Sequence, residues 1–329
     1  MNLTADTPNP ITQNRANNSP SSSPIHLGTS AWNFDEWRGV FYPEKMMAKE
    51  YLRYYSSKFN SVEVNTSFYG LPRLSTAEEW AKSVPPGFTF SLKMPRAISH
   101  EKRLVDCEEE TLAFLDLLHT LEAKAGVGFL QLPPSFTRTR GGKVLARYIE
   151  WLGTELHKSG NKNLRLAVEV RASDLLTPAF AGFVAQHGIA LVLGDRIIPD
   201  GTKQPGPEGK LAPDVTDAWL ALIDAQRAPH FAMLRWIGDN RDSVWADKAD
   251  RNRKFVFARD DRLALWSKRM KKLHQLGITI FGYMHNPYEG YAPTSLARLR
   301  ERLVDQLELP AWPPSDWINA PTDQLSLFD

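Results

Sequence analysis

The stretch Ser61-Val62-Glu63-Val64-Asn65-Thr66 decides how this chain is read. Side chains of a β-strand alternate between its two faces. Val62 and Val64 therefore share one face, and Glu63 and Asn65 the other. Seven similar runs occur along the chain: IHLGTS (25–30), FTFSLK (88–93), VGFLQL (127–132), LRLAVEV (164–170), IALVLGD (189–195), HFAMLRW (230–236) and ITIFGYM (278–284). A helical pattern or a long loop separates each from the next, which predicts parallel β/α units and, with eight of them, an α/β (β/α)₈ TIM barrel. An open doubly wound sheet would favour a Gly-rich phosphate turn, and no G-x-G-x-x-G occurs.

Helix signals fill the gaps. Ser75 and Glu78 form a capping box before Trp80, and Pro85-Pro86-Gly87 ends that helix. Leu112, Leu115, Leu118 and Leu121 make one apolar stripe that Gly126 can stop. Leu263, Trp266, Met270 and Leu273 make another, stopped at Gly277. The stretch from Pro199 to Pro213 reads as a loop. Residues 1–24 are rich in Asn, Ser, Thr and Pro and read as a disordered tail. The barrel is expected over 25–308, and a Pro-rich, disordered tail over 309–329.

Parity also predicts a polar mouth. In FTFSLK, Phe88, Phe90 and Leu92 oppose Thr89, Ser91 and Lys93; in the fifth run Val168 and Val170 oppose Ala167, Glu169 and Arg171. If the apolar members pack under helices, the polar ones point into the barrel toward the strand ends, where barrel enzymes keep their chemistry. Other runs bring Thr29, Ser30 and Trp32, Gln131, Asp195 and Arg196, Arg235, and His285 with Asn286 to the same end. The expected chemical groups are Glu63, Lys93, Glu169, Arg171, Asp195, Arg235 and His285. Thr29, Ser30, Trp32, Asn65, Tyr69, Arg96, His100, Gln131 and Asn286 are the expected substrate contacts. The competing expectation is a satisfied ion-pair network, for instance Lys93 with Glu169, that merely plugs the barrel.

The 329 residues are 42% hydrophobic and 24% charged, enough apolar material for a sizeable core. A net charge of +2 announces neither nucleic acid nor membrane. Cys107 is the single cysteine, which excludes an internal disulfide and suits a reducing compartment. With no run resembling a signal peptide or membrane span, the expectation is a cytoplasmic protein without a membrane partner. Only His100 and His285 of the eight histidines fall near expected strand ends. That is thin for a multi-zinc site, although carboxylates can hold Mg²⁺ or Mn²⁺. A divalent metal is not favoured, no metal ligand is assigned, and the cofactor is left unknown.

The assembled motifs resemble the YecE-like family (domain of unknown function 72). GTSAW (28–32), WRGVFYP (37–43), VEVNTSFY (62–69), LKMPRAISH (92–100), LQLPPSF (130–136), AVEVR (167–171) and EGYAP (289–293) carry the resemblance, in that order. It implies a TIM barrel and no established activity. Two segments depart from the family pattern: RWIG (235–238) has Ile237 where the family has a His, and His285 precedes Asn286 where the family has an Asn-Asn pair. No role for that family His carries over.

The last six residues, QLSLFD, are similar to the Q-L-x-L-F motif by which bacterial proteins bind the sliding DNA clamp. Leu325, Leu327 and Phe328 would fill an apolar groove while Gln324 bonds at its rim, on a Pro-rich leash that raises the local concentration at DNA. The alternative is a terminal tag that folds back on the barrel. Three functions follow as expectations. The first is a DNA-linked phosphoester hydrolase or repair-type enzyme, with the carboxylates activating water, Lys93, Arg171 and Arg235 stabilising phosphate charge, and the loop Arg241 to Phe255 touching nucleic acid through Trp245. The second is a non-catalytic nucleic-acid or nucleotide-binding module. The third is a small-molecule barrel enzyme of the sugar isomerase or lyase class.

Overall fold

A computed structural model describes residues 24–198, 210–239 and 252–304, with 306, 307, 309 and 311–314. It shows an α/β fold built on two parallel sheets. β1 (Ile25–Thr29), β9 (Thr279–Met284), β8 (Phe231–Gly238) and β7 (Leu193–Arg196) form one sheet, in that order. β2 (Ser61–Val64), β3 (Thr89–Lys93), β4 (Ala125–Gln131), β5 (Leu166–Glu169) and β6 (Ala190–Leu191) form the other. Each of the eight expected runs contains strand, and the sixth is cut into β6 and β7 at Val192. The cut reflects pairing: β6 bonds to β5 and β7 to β8. Val192 itself still donates to the Val168 carbonyl at 2.9 Å. Between β1 and β2 a single parallel bridge joins Ser30 to Glu63, and the Ala31 amide donates to the Glu63 carbonyl at 2.8 Å.

The helices are α1 (Tyr51–Ser56), α2 (Leu74–Lys82), α3 (Glu108–Thr120), α4 (Arg138–His157), α5 (Pro178–Gln186), α6 (Thr216–Asp224), α7 (Asp260–Gln275) and α8 (Ala292–Val304). They cover the apolar strand face. Phe90 stacks on Trp80 of α2, and Trp236 meets Trp266 of α7 edge-on. Helix α3 comes so close to β4 that a Cβ on Gly128 would lie 2.7 Å from Leu118. The capping box at Ser75 does not form: α2 already starts at Leu74, and extended Arg73, following Pro72, takes the N-cap without a side-chain bond. Helix α3 starts after buried Cys107, and α7 ends before Gly277, whose φ of +76° is the left-handed stop that glycine favours. Leu112 of the expected stripe is exposed; Leu115, Leu118 and Leu121 are buried.

Beyond the expected end of the barrel at residue 308, Leu309 and Trp312 still pack on the core, and the Trp312 indole donates to the Ser56 carbonyl at 2.9 Å. No helix among the described residues is long and apolar enough to cross a membrane. The expected N-terminal tail, most of the 199–213 loop, Trp245 and the QLSLFD segment lie outside the described residues.

Candidate functional site

The strand face turned away from the helices carries polar groups in two layers. In the deeper one, Ser61 Oγ lies 2.8 Å from both Thr89 Oγ1 and the Tyr283 hydroxyl, and Tyr283 donates to Ser91 Oγ at 2.6 Å. These hydroxyls satisfy one another across the two sheets, as burial requires.

Above them lies an ionic layer centred on Arg235 of β8. Its Nε donates to Glu63 Oε2 at 2.6 Å and its Nη2 to Glu63 Oε1 at 2.7 Å, a two-pronged pair with β2. The remaining Nη1 donates to Glu169 Oε2 of β5. Arg171 extends the chain, its Nε bonding Glu169 Oε1 at 3.1 Å and its Nη2 bonding Gln131 Oε1 at 3.0 Å. Asn65 donates to Glu63 Oε1 at 2.8 Å. Glu63, Glu169 and Arg235 are almost fully buried. Burial alone would raise both carboxyls. Arg235 outweighs it at each, helped by His285 at Glu63 and by Arg171 at Glu169; Glu63 stays well below the usual carboxylate range and Glu169 falls to about 2. The carboxylates in turn hold Arg235 charged against its own desolvation.

Lys93 stands apart from this network. Its Nζ sits 3.7 Å from the centre of the Phe68 ring and forms no ion pair or hydrogen bond among the described residues. The expected pairing of Lys93 with Glu169 is therefore not made. Glu169 spends its oxygens on Arg235 and Arg171. Burial, seconded by the charge of Arg235, pushes the Lys93 amine down to about 7. Ser67 fixes the backbone beneath it by donating to both the Lys93 carbonyl, at 2.7 Å, and the Val64 carbonyl, at 3.1 Å. His285 Nε2 lies 3.5 Å from Glu63 Oε1 without hydrogen-bond alignment and has no other partner among the described residues. Desolvation lowers the pKa of its ring. His100 meets the Phe68 ring edge-on at 5.0 Å, and burial followed by the charges of Lys93 and Arg171 keeps its imidazole neutral-leaning.

The backbone around this rim is unusual. His100 lies in a π-helical turn, Ala97–Glu101. Arg103, Leu104 and Asp106 just beyond it, and Ala31 after β1, all have positive φ. Left-handed non-glycine residues and π-turns cluster at functional sites because they cost energy that packing alone does not repay.

Several expected site residues go elsewhere. The Asp195 carboxylate points to the helices, accepting from Arg262 Nε (3.0 Å), Trp266 Nε1 (2.8 Å) and the Tyr288 hydroxyl (3.0 Å). Thr29 bonds Ala31 and the Tyr55 hydroxyl of α1. Asn286 Oδ1 accepts the Ala292 amide at the start of α8. Each neighbours an inward residue: Arg196, Ser30 and His285 respectively. Adjacent strand residues cannot share a face, so parity itself could have separated Asp195 from Arg196 in β7. Trp32 packs against Trp80 and Phe90; Arg96 reaches out to Glu101; Tyr69 is exposed beside Phe68. Residues not singled out as site groups do contribute. Phe68 underlies Lys93, Phe129 lies under the Arg235 guanidinium at 4.9 Å, and Arg196 donates to the Arg171 carbonyl at 3.0 Å. Among the described residues no three His, Cys, Asp or Glu groups gather in metal-holding geometry.

A model of the family described as "Protein of unknown function DUF72" matches residues 26–317. The chain belongs to this family. It is similar to the UPF0759 protein YecE of two Escherichia coli strains, at 25% and 30% identity, each over 92% of this chain and 100% of the relative. Among solved structures it resembles a DUF72 family protein from Thermotoga maritima, with TM-score 0.65 and 23% identity over 85% of this chain and 99% of that one. Another, from Enterococcus faecalis, has TM-score 0.63 and 21% identity over 88% and 98%. These likenesses establish the fold and the family, and neither name states an activity.

Proposed function

We propose that the two sheets close into one eight-stranded barrel and that its strand ends form an enzyme active site for a small anionic substrate, with Lys93 exchanging a proton near neutral pH. Closure is supported by the Ser30–Glu63 bridge at one seam and by chain continuity through Val192 at the other. The observation that carries the active-site reading is the Lys93 amine, unpaired among the described residues, beside a saturated ionic network. Three guanidinium cations, Arg171, Arg196 and Arg235, serve two carboxylates, so an incoming anion finds spare positive charge. A purely structural plug would have no reason to leave one lysine desolvated and unpaired.

A phosphoester is the first substrate class to test. Glu63 and Glu169 make poor bases, because Arg235 holds them ionised and engaged, so activation of water falls to neutral Lys93. Calorimetry with inorganic phosphate, together with turnover of a phosphodiester with and without Mg²⁺ or Mn²⁺, tests this. Arg171→Met removes a charge-assisted contact and should weaken phosphate binding about tenfold or more. An intact wild type that binds no phosphate and turns over no phosphoester would refute the reading.

The QLSLFD segment favours a second element, a sliding-clamp tether that brings the barrel to DNA. Deleting Gln324 to Asp329 should abolish clamp binding in calorimetry, and unchanged affinity would remove the tether from the proposal. The non-catalytic nucleic-acid module predicts binding without turnover in the same assays, and the small-molecule enzyme predicts indifference to the tail.

A further inference from the structure

We propose that Lys93 is a nucleophile that forms an imine with the carbonyl of a small aldehyde or ketone bearing an anionic group, which rests on Arg171 and Arg196. The inference builds on the active-site reading above, with a carbonyl compound in place of the phosphoester as substrate class and Lys93 attacking it directly.

Geometry makes the first part of the case. A lysine that faces a carboxylate stays an ammonium and cannot attack. Here both nearby carboxylates are tied up by Arg235 and Arg171, and the Lys93 nitrogen is left over the face of Phe68 with no hydrogen bond of its own among the described residues. The ring shields one side of the amine from water. Ser67 holds its main chain in place through two carbonyls. The free amine is thus positioned, half-buried and shielded on its ring side.

Electrostatics supports the same role. Burial and the charge of Arg235 weigh against the ammonium, with Arg171 adding to them, while Glu169 and Glu63 oppose; the balance leaves a large share of Lys93 as free base at neutral pH. His100, edge-on to the same Phe68 ring, is a neutral-leaning imidazole whose pKa burial and the charge of Lys93 lower. Arg171 is about a quarter exposed, so it remains open to an incoming carboxylate or phosphate.

The step balances without an oxidant or reductant. The nitrogen lone pair attacks the carbonyl carbon, the C=O π pair moves to oxygen, and a proton passes from nitrogen to that oxygen, giving a carbinolamine. Expulsion of the hydroxyl as water then forms C=N. Amine and carbonyl become imine and one water.

Borohydride trapping tests this with the full chain at pH 6 to 9. Borohydride adds hydride to any imine and fixes it as a secondary amine. The probes are pyruvate, dihydroxyacetone phosphate and uncharged glyceraldehyde, with intact-mass and peptide mapping as readouts. The expected result is one adduct on Lys93 with pyruvate or dihydroxyacetone phosphate. Which of the two reacts tells a carboxylate from a phosphate site. Glyceraldehyde should label at least about tenfold less, and the yield should rise with an inflection near pH 7. Lys93→Arg, melting like wild type, should give no adduct, and Arg171→Met should lower the yield about tenfold. No Lys93 adduct with either anionic probe, or even labelling across surface lysines, overturns the imine. If phosphate binding that depends on Arg171 survives in that case, the active-site reading stands alone; if it is also absent, both fall.

Discussion

Replacing Arg235 by Met is the sharpest test of the ionic layer. The substitution keeps the length and apolar character of the stem while removing the one guanidinium that holds Glu63 and Glu169. Among the described residues Glu63 would keep only Asn65 and the poorly aligned His285, and Glu169 only Arg171. Removing one partner of a buried ion pair costs about 3–5 kcal/mol. At about 2 °C per kcal/mol for a chain of this size, the melting temperature should fall by about 6–10 °C at pH 7.5.

The pH dependence gives a second signature. In the wild type the folded carboxyls sit below their unfolded value of about 4.3, so their stabilisation is present above that value and fades as pH falls toward the folded one, about 2 for Glu169. Without Arg235 the burial that dominates Glu63 would raise its pKa, and the sign reverses: that site is most stable protonated and loses stability as pH rises. The gap between variant and wild type should therefore narrow between pH 7.5 and pH 4.5 in thermal melts followed by circular dichroism. The triple replacement Glu63→Gln, Glu169→Gln, Arg235→Met should recover much of the loss, because neutral amides need no counter-ion. A single variant within about 2 °C of wild type at both pH values, a shift under about 1 kcal/mol on the same scale, would refute the assignment of Arg235 as the charge that holds both carboxylates.

Three further outcomes follow. Lys93→Met should leave the melting temperature unchanged or raised at pH 7.5, since burial disfavours the ammonium in the folded state and that penalty, full below about 7, fades only as pH rises from there toward the unfolded lysine value of about 10.4; a clear drop would mean that Lys93 holds the fold together. Asp195→Ala should lower stability by about 2–4 kcal/mol, through loss of its bonds to Arg262, Trp266 and Tyr288, while leaving phosphate affinity at the mouth unchanged by calorimetry. Gly238→Ala should cost about 1–3 kcal/mol in chemical denaturation, because the φ of +69° suits glycine and a Cβ would lie 2.5 Å from the Pro287 carbonyl oxygen.

Much of this protein was legible in its sequence. Strand alternation has a period of two and is local, so Val62 against Glu63, or Val168 against Glu169, already separates the helix-facing side from the polar side. The same rule brings Glu63, Lys93, Glu169, Arg171 and Arg235 to one face from four separate runs, Glu169 and Arg171 sharing the fifth. It does not say which of them touch. That Arg235 lies between carboxylates 172 and 66 residues away, and that Lys93 is left without one, follows from how nine strands pack, a matter of ångströms that no local pattern encodes. Tertiary structure also decided the partners of Asp195, Thr29 and Asn286, which are Trp266, Tyr55 and the start of α8, because a buried polar group goes where its hydrogen bonds can be met. Sequence alone determined the elements and the inventory of charges; the packing of the sheets determined their partners, since pairing depends on distances set by residues far apart in the chain.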